Sequence, residues 1–166
     1  MIDKVVRVRA YPIARRTEQG ILIGCVSALV IFTLCSLSEY TNTLLVMASF
    51  GASCVIVFTL PQSPLAQPSN VIGGHVLSAI AGFAALFLFG QTPFSMGLGV
   101  GLAIIAMAIT ATLHPPGAGN PILIIGGGYP LWYLLTPVFI GAVTIVLAAL
   151  FYHRFISGHI YPVRKV

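Results

Sequence analysis

From position 17 to position 153 the chain contains no lysine and no arginine, and only two carboxylates, Glu18 and Glu39. No water-soluble domain can be built on such an interval, because soluble chains are about one-quarter charged. Here 7% of all residues are charged and 58% are apolar. Disorder is excluded on the same ground, since it needs low hydrophobicity and high charge. A membrane-spanning helix takes about 20 apolar residues, so 166 residues hold four to six membrane segments and no domain between them.

The charge that exists sits at the two ends. Lys4, Arg7, Arg9, Arg15 and Arg16 lie in the first sixteen residues, and Arg154, Arg164 and Lys165 close the chain. A nucleic-acid binder would spread such charge along a binding face. Basic ends around an uncharged middle follow the positive-inside pattern. They predict two cytoplasmic termini and an even number of crossings; the location expected for the chain is the bacterial inner membrane. The expected organisation is a cytoplasmic basic arm over 1–19, one transmembrane domain over 20–153, and a basic tail over 154–166. The first apolar stretch, 20–37, reads as a retained span, since no A-x-A-like cleavage site follows it.

Further apolar stretches occupy 43–60, 71–90, 95–113 and 131–151, with a short one at 121–125. Five full spans would put the termini on opposite sides. Two repairs are open: the short piece belongs to a sixth, broken span, or two pieces are re-entrant and four helices cross fully. FGASCVIVF (50–58) resembles PGAGNPILI (116–124) at an offset of 66. SNVIGGHVLSAIAGFAALF (69–87) resembles PVFIGAVTIVLAALF (137–151) at similar spacing. These matches suggest two repeats, about 20–90 and about 95–153. With three segments each, the repeats are inverted, and the Gly51 and Gly117 segments approach from opposite faces. The predicted fold is therefore all-α and polytopic, with two short or broken helices. Broken backbone at membrane depth survives only where protein or water covers it.

The interior lacks the groups most reactions need. There is no nucleophile–base–orienter set, so no enzyme activity is expected. Cys25, Cys35 and Cys54 are odd in number, without metal spacing or a disulfide framework. No metal and no cofactor is expected. What remains is His75, His114, Gln67, Asn70, Asn120, hydroxyls and backbone N–H groups. Pro115 and Pro116 suit a helix start, and Gly117 and Gly119 let backbone approach a ligand. A short helix there would aim free N–H groups and a positive dipole end at a small anion. Gly51 and Ser53 offer the same in the first repeat. The plain alternative for HPPGAGN is an interfacial turn. His75, Gln67 and Asn70 are candidates for lining the entrance or clamping the broken segment, and His114 for carrying a proton.

HPPGAGN preceded by TATL (110–120) resembles the HPP family of small integral membrane proteins. FGASCVIVF (50–58), SPLAQPSNVIGGH (63–75) and the closing YP (161–162) extend the resemblance over about 20–162. It implies about four spans and, from cyanobacterial and chloroplast relatives, nitrite transport. Some relatives carry a charged residue between the two threonines, where this chain has Ala111. The expected partners are a small anion, nitrite first, membrane lipid and further copies of the chain in a homo-oligomer, with no nucleic acid. The Gly97, Gly99 and Gly101 face permits close helix approach within or between subunits. The rival functions are a channel for a neutral solute or weak acid, and a non-transporting membrane scaffold.

Overall fold

The absence of charge leaves apolar helices as the only economical backbone, and in a computed structural model the chain is built of helices, with no strand among the described residues. The structure describes residues 13–163, with side chains from Thr17 onward. Helix α1, Ile13–Thr41, already includes 13–19. Lys4, Arg7, Arg9, Arg164 and Lys165 lie outside the described residues. Among the described residues three segments are long and apolar enough to cross a membrane, Thr17–Thr41, Pro68–Phe89 and Leu131–Ser157.

Helix α2, Ser49–Thr59, follows a non-helical stretch over 43–48. At 11 residues it is about 16 Å long, half of a bilayer core of about 30 Å. A single 3₁₀ turn, Pro64–Ala66, leads to α3, Pro68–Phe89, which has proline at its first turn. Gly90, at φ 68°, ends α3. The Thr92 and Ser95 hydroxyls cap α4, Pro93–Ile109, reciprocally.

The HPP segment does not open directly into an α-helix. Pro115–Gly119 forms a 3₁₀ turn, and α5, Asn120–Gly127, starts only at Asn120. Two adjacent prolines supply no N–H, and the Gly117 N–H is used on the His114 carbonyl at 2.9 Å. Gly128 closes α5 in the left-handed region. The last segment begins as a 3₁₀ turn, Leu131–Leu134, and bends at Thr136, the extended residue before Pro137. A π-turn, Leu135–Phe139, leads into α6, Ile140–Tyr152, and a second π-turn, His153–Ser157, follows it.

Contacts set the direction of each piece. Gln19 and Leu22 of α1, Thr59 at the end of α2, and His153, Ser157 and His159 line one cavity. This is the terminal end of the molecule. Tyr161 donates to the Ala66 carbonyl at 2.9 Å, so α3 starts there too. Gln91, between α3 and α4, donates to the Ile125 carbonyl at 2.9 Å, so α5 finishes at the far end. The chain therefore passes between the ends six times. Four passes are helical along their length, and two pair an irregular half with a short helix. The order long–short–long occurs twice. The Pro115 turn follows the start of α2 by 66 residues, the offset of the sequence match. The two short helices run in opposite senses, as inverted repeats require.

Apolar side chains fill the space between α1, α2, α3 and α6, with Leu34, Phe50, Val57, Val71 and Ile145 fully enclosed. Many others face outward. Phe32, Phe87 and Ile109 are 67%, 90% and 79% exposed, a pattern that water would penalise and lipid tails favour.

Candidate functional site

Ser49 is the first residue of α2 and Asn120 the first of α5. The Ser49 hydroxyl donates to Asn120 Oδ1 at 3.1 Å. The N-termini of the two short helices thus meet inside the molecule. The macrodipoles of both helices aim their positive ends at one place, although the Phe50, Gly51 and Asn120 N–H groups are already used on the Met47, Ala48 and Gly117 carbonyls.

Ser53, one turn along α2, stands between two histidines. Its Oγ is 2.8 Å from His75 Nε2 of α3 and 2.9 Å from His114 Nε2. The imidazole rings meet edge to face, with centroids 5.0 Å apart. Ser53, His75, His114 and Asn120 expose no surface at all. The junction is closed to water in this structure, and no buried side-chain polar atom among the described residues lacks a partner. That matters because an unpaired buried polar group costs about 1–3 kcal/mol.

Hydrogen-bond chemistry orders the protons. His114 Nδ1 lies 2.8 Å from the Leu65 carbonyl, which only accepts, so this nitrogen carries a hydrogen. Asn120 Nδ2 is 3.0 Å from the His75 carbonyl and from Ser78 Oγ, and 3.2 Å from His75 Nδ1. The carbonyl fixes which end of the amide is nitrogen. An amide nitrogen offers no lone pair, so a hydrogen on His75 Nδ1 would meet no acceptor and belongs on Nε2, while the two amide hydrogens are shared among the His75 carbonyl, Ser78 Oγ and Nδ1. The neutral network then runs one way: Asn120 to His75, His75 Nε2–H to Ser53, Ser53 O–H to His114 Nε2, and His114 Nδ1–H to Leu65.

The remaining sequence candidates divide. Asn70 donates to the Leu113 carbonyl at 3.1 Å and to that of Ala111 at 3.4 Å, which holds the segment leading to His114. Ala111 is exposed and left-handed, at φ 54°, so a longer side chain there would reach the molecular surface rather than the junction. Gln67 lies away from the junction. Its amide donates to the Pro61 and Ser63 carbonyls, and its oxygen accepts from the Val163 N–H. Pro115 is exposed and Pro116 buried. Gly117 is a packing glycine: an added Cβ would lie 2.9 Å from the Gly74 carbonyl oxygen. Gly119 has open space beside it, and Gly51 faces outward with nothing within 4 Å.

Sequence reasoning missed Ser49, Ser78, Gly74 and the Leu65 carbonyl. Ser49 was findable, because it precedes Ser53 by four residues and shares its helix face. His153 was missed as well. It is buried, with Nε2–H on the Val57 carbonyl at 3.0 Å and Nδ1 accepting from Ser157 at 2.7 Å. Beside it lies the terminal-end cavity, of about 330 Å³. Among the described residues no three His, Cys, Asp or Glu groups gather as a metal site would require.

An outward apolar surface, six passes, and two half-length helices joined at their N-termini define a polytopic helical membrane protein with a polar centre. The family model for the HPP transmembrane region matches residues 13–162, and the chain belongs to that family. Two proteins of Dictyostelium discoideum, each described only as a transmembrane protein, are 36% identical to it. The matches cover 74% and 70% of this chain and 42% and 44% of those relatives. The chain thus spans less than half the length of the curated relatives it matches. No solved structure matches it.

Proposed function

We propose that the chain moves a small inorganic anion across the membrane, with nitrite the favoured cargo, and that the anion passes the junction of α2 and α5. One observation carries this reading: two half-length helices present their positive ends to one buried polar point, where Ser49 meets Asn120. Such ends attract anions without a buried lysine or arginine. Among the described residues no carboxylate lies on α2 to α6, so no fixed negative charge there favours a cation. Ser53, His114 and Asn120 touch the anion, Gly119 leaves room for it, and His75 and Asn70 hold the surrounding backbone. The terminal-end cavity, lined by Phe58 and Thr59 of α2, is the vestibule, about one and a half turns beyond Ser53. The basic ends support a reading with both termini in the cytoplasm. Copies of the chain associate through outward apolar faces such as that of α1, and the protein has no enzymatic activity.

A second reading, a non-transporting scaffold, draws support from the closed and fully paired network, which offers no open path. Liposome flux separates the two. On the transport reading, vesicles containing purified protein should take up nitrite faster than nitrate, formate or chloride, and His114→Ala should abolish the uptake. No flux of any of these anions, from protein shown to be folded and inserted, selects the scaffold.

A further inference from the structure

The two junction histidines differ in what a second proton would meet. On His75 it would sit on Nδ1, facing the Asn120 amide nitrogen at 3.2 Å, where nothing accepts it. On His114 it would sit on Nε2, facing Ser53 Oγ at 2.9 Å, an oxygen with lone pairs. The hydroxyl hydrogen that Ser53 gives to His114 in the neutral network also has a second acceptor in reach. This is the Ser49 carbonyl oxygen, at 3.2 Å. One rotation of one hydroxyl accommodates one added proton, with every donor still paired.

Building on the transport reading, we propose that the junction binds a single proton at His114 Nε2, with Ser53 as the hydroxyl switch. Asn120 is the positioning residue that keeps His75 neutral. The cargo is the anion of a weak acid, carried with that proton. The proton adds to the Nε2 lone pair, and no covalent bond breaks. A lone cation in a dry site is costly, and a singly charged anion beside it removes most of that cost. The loaded junction is then neutral. Of the elements packed against His114, α3 carries the titratable His75 and α2 carries Cys54. The Pro64–Ala66 and Pro115–Gly119 turns, α4 and α5 carry no titratable side chain. No fixed charge on these elements competes with the anion.

The test is solid-state ¹⁵N NMR of full-length, histidine-labelled protein in lipid vesicles, taken from about pH 8 to about pH 4, with and without sodium nitrite. His75→Gln and His114→Asn assign the signals, because each amide replaces the one N–H that its histidine donates. His153, held on Val57 and Ser157, reports that the fold is intact. At the upper pH the expected pattern is hydrogen on His75 Nε2 and on His114 Nδ1. At the lower pH the second proton enters His114 alone, and Ser53→Ala reduces that doubly protonated population about tenfold, the size of one charge-assisted bond. A second proton on His75, His114 singly protonated throughout, or indifference to Ser53→Ala overturns the proposal. An interior pH dye adds a functional arm: protons enter with nitrite, and His114→Asn ends this. Should nitrite not move while the nitrogen assignments hold, the transport reading fails alone. Should nitrite move while His114 never takes a second proton, the proton site fails alone.

Discussion

The chain runs into α2 and α5 from opposite ends of the molecule, and the segments leading into the two half-helices are packed in different ways. Before α5, the backbone itself is pressed against α3. The position of a Cβ on Gly74 lies 2.5 Å from the His114 Cβ, and that of a Cβ on Gly117 lies 2.9 Å from the Gly74 carbonyl oxygen. At the start of α2, Gly51 faces open space, and the side chains of Phe50 and Ser53 do the anchoring, Phe50 edge-on to His75 at 5.3 Å. The α5 half is seated by backbone against α3, whereas the α2 half is seated mainly by the Phe50 ring, with the Leu45 carbonyl of its lead-in 3.2 Å from the position of a Cβ on Gly141. The junction therefore has a rigid half, built from His114 and Asn120, and a half that a side-chain rotation can alter, built on Ser53.

The largest effect should come from the rigid half. Gly74→Ala and Gly117→Ala each force backbone apart, and overpacking of this kind costs about 3 kcal/mol. Thermal unfolding in detergent reads this as a large drop in midpoint. Equal midpoints for wild type and both variants would show that the close approach is not needed. Next comes Asn120→Ala, which strips partners from Ser49, Ser78 and the His75 carbonyl and should cost about 2 kcal/mol. Asn120→Asp should cost more, because it turns an oxygen toward the His75 carbonyl. If Asp were the milder change, the amide would have to be oriented the other way round.

Tyr161 gives a smaller effect with a pH signature. Its phenol is buried and donates to the Ala66 carbonyl, and burial raises its pKa above the ordinary tyrosine range. A raised folded-state value means the contribution is complete below about pH 10, the ordinary tyrosine value. It is lost as the pH climbs from there through the folded value. Tyr161→Phe should cost about 1 kcal/mol at neutral pH and flatten the alkaline loss of stability. An unchanged alkaline limb would count against Tyr161 as its source. The smallest change is Gly51→Ala. With nothing within 4 Å of the added carbon, it should stabilise α2 by about 0.5–1 kcal/mol. A destabilised protein would mean that an unseen neighbour covers this face.

Much of this was legible in the residues. The empty interval between positions 17 and 153 dictates a membrane fold, and the 66-residue offset locates both half-helices. Ser53, His75, His114 and Asn120 stand out in the sequence as polar groups in apolar surroundings, and the fold brings them together. Gly51 and Ser53 stand together in the sequence, but residues two apart on a helix face nearly opposite ways. Helical geometry alone separates the two. Gln67 was beyond reach, since its place depends on a bond from Val163, far along the chain. The Leu65 carbonyl was hidden for another reason: every residue has a carbonyl, and only folding selects one.

Whether an anion reaches the junction can be asked directly by measuring dipolar contact between ¹⁵N-nitrite and ¹³C-histidine side chains in protein-loaded vesicles. An anion path through the junction predicts dephasing of the His114 ring carbons by bound nitrite, weakened in Asn120→Ala. Contact confined to His159 in the terminal-end cavity, with none at His114, would contradict it.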